Sequence, residues 1–385
     1  MRDAEFPYSE DVLHWIWQEM LFSREGLKTT CGKNIQIIHP GSINTSDGPD
    51  FFNAKLKIGD LTWMGAVELH VKTASWQQHK HHTDPNYNNV VLHVVADNSH
   101  KAVSCANQTQ PFTLNLLPYL TKEMASFIAS YDQGDILPCA ANVHFISEEA
   151  FNSQIEKAHT EYLEQKVHDF FSFFSAEELQ SIAWKNALFI ALFDGFGISH
   201  NRAPMQQLAQ QLLSSEALPN EDFTQLALET AFNPANNYQW KYKASRPAGQ
   251  PKQRIKQAAN FGRLVLGTPF SEFLKSDALK LWETWCSTLK YSNTGRIQIL
   301  YGTVFIPALY AAASMFAYKK LQNACLKEWC SLQSPIPNNL LKPFHSLPLP
   351  PQLYNKKLGA IHQLRSYCVP KQCSKCFVLK KAFHP

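Results

Sequence analysis

Hydrophobic and polar positions change their rhythm once along the 385 residues. In the first third, short β-branched runs are separated by Gly, Asn and Asp: Asn34 to Ile38, Phe51 to Ile58, Leu61 to Val71, Asn89 to Ala96 and Pro111 to Leu116. Each reads as a strand. Ahead of them, Ser9 to Phe22 spaces its apolar residues as an amphipathic helix does. Later the period lengthens to that of helices in Glu148 to Phe174, Ala176 to Phe193 and Met205 to Leu213. The expected fold class is therefore α+β or α/β: a mixed sheet with helices over residues 1–135, then a mostly helical part over 136–385. Gly134 to Val143 is the expected junction, and the repeated prolines of 333–351 read as a loop or surface-draped connection.

Composition narrows this picture. With 45% hydrophobic and 12% aromatic residues the chain can bury a sizeable core. A net charge of +4 is too small to imply a polyanionic partner unless basic residues cluster locally. The start, MRDAEFPYSED, lacks the apolar centre of a signal peptide. The longest apolar stretch, Val304 to Tyr318, is short for a bilayer and is interrupted by Pro307, Tyr310 and Ser314. A cytoplasmic protein with no membrane partner is expected. Nine cysteines, an odd count, point to reduced thiols or a metal site more than to disulfides.

The segment Gly48 to Lys72, GPDFFNAKLKIGDLTWMGAVELHVK, reads as a hairpin turning at Gly59-Asp60. Asp50 stands at its mouth, and Glu68, His70 and Lys72 fall on one face of the second strand by alternation. An uninterrupted two-residue hairpin would pair Ile58 with Leu61 and Asp50 with Leu69, setting Asp50 on the wrong side from Glu68. A bulge at Gly65 would repair this, as would an Asp50 lying outside the strand after Pro49. The second is preferred, because Trp63, Val67, Leu69 and Val71 keep one parity across Gly65.

The order of helix, strand, hairpin and return strand, with Pro49-Asp50 and Glu68-Leu69-His70, resembles the core of the PD-(D/E)XK phosphodiesterase superfamily over about residues 10 to 97. That resemblance implies a nuclease-like hydrolase. Asp50 and Glu68 would bind Mg²⁺ or Mn²⁺ with the carbonyl of Leu69, and Glu19 on the first helix would be an optional acidic ligand. Such ions neutralise the phosphate and activate water. The superfamily's water-side lysine is replaced here by His70, with Lys72 one pleat pair further along. The wider run GSINTSDGPDF, GAVELH, SWQQHKHH, DPNY and VVLHVVAD resembles a bacterial family of unknown function, DUF2851, across nearly all of the chain. Ser75 stands where that family has an Asp before the tryptophan matching Trp76.

Three further groups carry candidate chemistry. His70, His79, His81, His82 and His93 lie close in sequence with Asp84, and such residues suit zinc or manganese. The alternative is a buried core histidine at 93 and a polar turn at 79–82. Cys368, Cys373 and Cys376 form C-x4-C-x2-C, able to share Zn²⁺ with His362 or His384, to hold an iron–sulfur cluster, or to stay as thiols. Lys241, Lys243, Arg246, Lys252, Arg254, Lys256 and Arg263 follow one another without an acidic residue, among Tyr238, Trp240 and Tyr242. They suit a DNA- or RNA-binding groove, or simply a solvated loop and helix. Three functional classes follow: a metal-dependent phosphodiesterase, a non-catalytic nucleic-acid-binding or assembly protein on a degenerate nuclease fold, and a metallohydrolase ligated by His70, His79 or His81, and His93.

Overall fold

Alternating burial along the strands shows why the sheet forms where it does: Phe51, Ala54, Leu56 and Ile58 are buried while Asn53, Lys55 and Lys57 face water. The computed structural model describes residues 6, 10–97, 99, 101–120, 124, 137, 148–197, 200–215, 223–242, 249–333, 336–345, 356–370, 372 and 375–376. Its N-terminal elements are α1 (Glu10–Gln18), β1 (Ile35–His39), β2 (Ser42–Ile43), β3 (Phe51–Ile58), β4 (Leu61–His70), α2 (Ser75–Gln78), β5 (Val90–Val95) and β6 (Phe112–Asn115). The strands form one six-stranded sheet in the order β1-β3-β4-β5-β6, with β2 also on β3. β1, β2 and β4 run antiparallel to β3, while β4, β5 and β6 are mutually parallel. The fold is α+β, with this mixed sheet first and a mostly helical half after it. β2 was not expected, because two residues are too few to show a period.

α1 buries Val12, Leu13, Trp15, Ile16 and Trp17 in one cluster with Phe51, Leu56, Val67, Leu69, Leu92 and Val94 of the sheet. Glu10 and Asp11 in its first turn suit the helix dipole. The opposite face carries a second cluster, Ala66, Trp76, Tyr87, Val90, Val103 and Cys105. β4 therefore leaves water along its length: Leu61 to Met64 are exposed, whereas Ala66 to His70 are buried. At the transition sits Gly65, where an added Cβ would lie 2.5 Å from the Asn89 carbonyl and 2.6 Å from Val91. Beside it the β4–β5 register shifts by one between Ala66 and Val67.

The chain divides into two compact units, Met1–Gln154 with Lys342–Leu353 and Gln363–Pro385, and Ile155–Leu341 with Tyr354–His362. The expected junction, Gly134 to Val143, lies outside the described residues except for Leu137. Of the proline-rich stretch, residues 333 and 336–345 are described, with a turn at Asn338–Leu341 and a short helix at Lys342–His345. The second unit is helical. Its helix Gln180–Phe196 is buried almost all round, as a central helix must be. Trp184, Phe189, Phe193, Phe261, Trp282 and Phe305 are buried within this unit, and several meet ring to ring. Gly295–Met315 is long and apolar enough by composition to cross a membrane, yet 61% of its apolar window is buried within the fold. Its π-helical turn at Tyr301–Phe305 carries the chain through Pro307 without a break.

Two outcomes test this packing. Gly65→Val should destabilise the first unit by about 1–3 kcal/mol, since its Cβ alone would meet the backbone carbonyl of Asn89 at 2.5 Å and Val91 at 2.6 Å; chemical denaturation measures it. In the second unit His159, buried and joined reciprocally to Trp329 at 2.8 and 2.9 Å, has its pKa lowered by burial. Its neutral form is the folded one, so stability is complete above the unfolded value of 6.5 and declines as pH falls below it. His159→Asn should show a shallower acid-side decline than the parent chain.

Candidate functional site

The site begins with a slip in β3. Pairs Ile58↔Leu61 through Ala54↔Gly65 hold one register, and Phe51↔Val67 is one residue out. The extra residue is accommodated near Asn53, whose φ is 57°, a left-handed value that asparagine tolerates better than most residues. Continued past β3, the slipped register sets Asp50 opposite Glu68 instead of Leu69. Asp50 lies just before the strand, as its position after Pro49 suggested, while the bulge falls in β3 and not at the Gly65 position of β4. Two hydrogen bonds fasten the arrangement: the Asp50 N–H donates to Glu68 Oε2 at 3.0 Å, and the Leu69 N–H donates to Asp50 Oδ2 at 2.8 Å.

Histidines crowd the other side of Glu68. Its Oε1 lies 3.1 Å from His81 Nε2 and 3.6 Å from His70 Nε2. His70 Nε2 is 3.3 Å from His79 Nδ1, and its Nδ1 is 2.9 Å from His93 Nε2. β4 and β5 supply Glu68, His70 and His93 because parallel pairing sets Glu68 beside His93. His79 and His81 arrive on the turn after α2. Asp97 accepts from both the N–H and hydroxyl of Thr73, at 2.7 and 2.8 Å, and so fixes the exit from β4. Trp76 is wholly buried, with its indole N–H bonded to the Ser104 carbonyl at 3.0 Å. Lys80, at φ 64°, reverses the chain between the two histidines, and His81 stacks on Tyr87 at 3.8 Å between ring centres.

Charge is finely divided among these groups. Burial, then the charge of Asp50, raises the pKa of Glu68 well above the carboxylate range. Burial, then the neighbouring imidazoles, holds His70 far below its usual value; burial also depresses His81 and His93. His14 behaves otherwise: burial opposes its charge, but the bond to Asp50 and the charges of Asp50, Glu10 and Glu68 raise it. Its Nε2 lies 3.1 Å from Asp50 Oδ2. The pocket thus combines two mutually repelling acids with several neutral imidazoles, an arrangement that a cation would relieve.

Some sequence expectations need correction. Glu19 follows the last residue of α1, about 140° around the axis from His14, and the charges acting on Glu68 include those of Asp50, His14 and Glu10. The helix instead offers Glu10 and His14. Their four-residue spacing was a legible signal that both share one face, although nothing in the sequence showed which face met Asp50. Lys72 does not continue the Glu68–His70 row, because β4 ends at His70 and Lys72 is exposed in the following turn. Asp84 caps the turn Pro85–Tyr87 through the Asn86 N–H at 2.9 Å.

Elsewhere, the Gln363 amide donates to the sulfurs of Cys368 and Cys376, at 3.7 and 3.5 Å; Cys373 and His384 lie outside the described residues. His362 belongs to the second unit, with Nε2 3.7 Å from Glu161. In the basic run, Lys243 and Arg246 lie outside the described residues. Lys241 is exposed and its backbone is clasped by Asn201 at 2.8 and 2.9 Å. Lys252, Arg254, Lys256 and Arg263 ride on the helix Pro251–Gly267, Lys252 exposed and the other three half-buried. Burial, then the charge of Arg296, lowers Arg254 to about 10. Tyr238 and Trp240 are half-buried and turn their polar atoms to Gln211 and the Ala231 carbonyl.

A protein-family model described as "Protein of unknown function (DUF2851)" matches residues 10–232, more than half of the chain. No curated protein and no solved structure matches it.

The β3 slip is open to direct test. Asn53→Gly should keep the site, whereas Asn53→Val should cost about 1–2 kcal/mol and loosen the clasp. Hydrogen exchange at the Asp50 and Leu69 amides, faster in the valine variant alone, is the expected reading.

Proposed function

Since the chain belongs to the DUF2851 family, a membership that brings no activity with it, we propose from its own residues that it is a metal-dependent phosphodiesterase of nucleic acid, acting at the Asp50–Glu68 pair. The observation that carries this reading is the clasp itself: two carboxylates from different segments, each accepting a backbone N–H beside the other. Like charges so placed destabilise a fold unless a proton or a cation is held between them. Two acids meeting at the end of an antiparallel hairpin, next to strands parallel to its second member, also keep the element order of the nuclease resemblance.

A divalent ion here would neutralise phosphate charge and sharpen a bound water as nucleophile. The chain's own groups divide the remaining work. Glu68 and Asp50 provide the negative charge that attracts the ion. Asp50, 3.1 Å from His14 Nε2, sustains its protonated form, which suits His14 to deliver a proton to a leaving oxygen. His70 stands where a lysine would, uncharged, and so cannot offset charge on the water by itself. Exposed His79 marks the side from which substrate reaches the pocket.

The test is cleavage of single- and double-stranded DNA and RNA by the purified chain with Mg²⁺ or Mn²⁺, beside Asp50→Asn and Glu68→Gln. Both variants should lose about 100-fold or more in rate. Equal cleavage by parent and Glu68→Gln would trace the activity to a contaminant and remove the proposal. Binding of nucleic acid without cleavage would favour the assembly reading instead.

A further inference from the structure

We propose that His70, His79 and His81 hold one borderline divalent ion of the Zn²⁺ class, with the carboxylate of Glu68 set against it. This sharpens the hydrolase reading by naming its ion, and rests on that reading only for the substrate. The ligand atoms of the three histidines all lie within 4.8 Å of one another. A tetrahedral ion with bonds of about 2.0–2.1 Å needs donors about 3.3–3.4 Å apart. His70 Nε2 and His79 Nδ1 are 3.3 Å apart, and Glu68 Oε1 lies 3.1 Å from His81 Nε2 and 3.6 Å from His70 Nε2. These separations suit donors gathered around one centre.

A second observation is independent of the spacing. His81 is only 6% exposed, yet neither of its ring nitrogens has a hydrogen-bond partner, although Nε2 lies 3.1 Å from Glu68 Oε1. A buried imidazole left in this way costs stability unless a ligand satisfies it. His70 has the support expected of a metal ligand. With its proton on Nδ1, given to His93 Nε2 at 2.9 Å, it presents a lone pair at Nε2 toward His79 and Glu68. Trp76 and Tyr87 fix the rings from the apolar side, at 6.3 Å from His70 and 3.8 Å from His81 between ring centres.

The donor set also chooses the ion. Three imidazoles suit zinc and its neighbours, whereas Mg²⁺ prefers an oxygen shell. His79 is exposed while His70 and His81 are buried, so the centre is closed by protein on one side and open on the other. That is the form of a catalytic zinc site and not of a closed structural one.

Co²⁺ serves as the probe, because its visible absorption reports ligand type. The full chain, stripped with chelator, should bind one equivalent of Co²⁺ with visible bands of nitrogen and oxygen ligation. Zn²⁺ should displace it, and an equal concentration of Mg²⁺ should not. His79→Ala, at an exposed position that leaves the core intact, should weaken binding at least about tenfold, with unchanged circular dichroism. No Co²⁺ binding, undiminished binding by His79→Ala, or a thiolate charge-transfer band pointing to the C-terminal cysteines would each overturn the assignment. Cleavage supported by Mg²⁺ in a chain that ignores Co²⁺ would sink this site and leave the hydrolase. Zn²⁺ bound as described, without cleavage of any nucleic acid, would do the reverse.

Discussion

A left-handed asparagine in the middle of a strand governs the candidate site. Without the one-residue slip near Asn53, strict alternation would turn Asp50 to the opposite side from Glu68, and two charged groups would point into different environments. With it, the Asp50 N–H reaches Glu68 and the Leu69 N–H reaches Asp50, so each carboxylate is held by a backbone amide at or next to the other. The clasp is strong because both donors are fixed peptide groups with no side-chain entropy to lose. Glu68 then becomes the pivot, with the Asp50 amide on one oxygen and histidines on the other.

That pivot sits where a carboxylate is least welcome. β4 passes from exposed residues at Leu61 to Met64 into a stretch buried on both faces, and Glu68 is 4% exposed. The imidazoles around it do little to favour its charged form: burial keeps His70 and His93 neutral, and Glu68 holds its proton well above the usual carboxylate range. Packing holds the group together in spite of this cost. Trp76 and Tyr87 clamp the rings, and Asp97 fixes the turn that carries them. Stability given up at a site and recovered in its surroundings is a common mark of function.

The second unit has a different physical basis. Its helices meet through large aromatic residues, and its buried polar groups are tied in closed pairs, such as Asp194 with Arg202 and Gln206, or His159 with Trp329. Asp194 is satisfied in this way, while His159 keeps its Nδ1 buried without a hydrogen-bond partner. The basic helix Pro251–Gly267 contributes as much to that core, through Ile255, Ala258, Ala259 and Phe261, as to its charged face.

Sequence alone determined the elements and set out the candidate residues. Period and punctuation placed β3 over the same residues as observed, β1, β4, β5 and β6 to within about two residues, the long helices nearly as closely, and the order of sheet before helices. Asp50, Glu68, His70, His79, His81 and His93 were all legible as candidates. Tertiary structure decided which of them meet. Register depends on a single residue's φ, and local sequence permits the Asp50–Glu68 clasp without enforcing it. The end of β4 removed Lys72 from the row, because alternation holds only while pairing lasts. Packing of α1 on the sheet set His14 beside Asp50, since amphipathicity fixes a helix's inward face but not the loop it will touch.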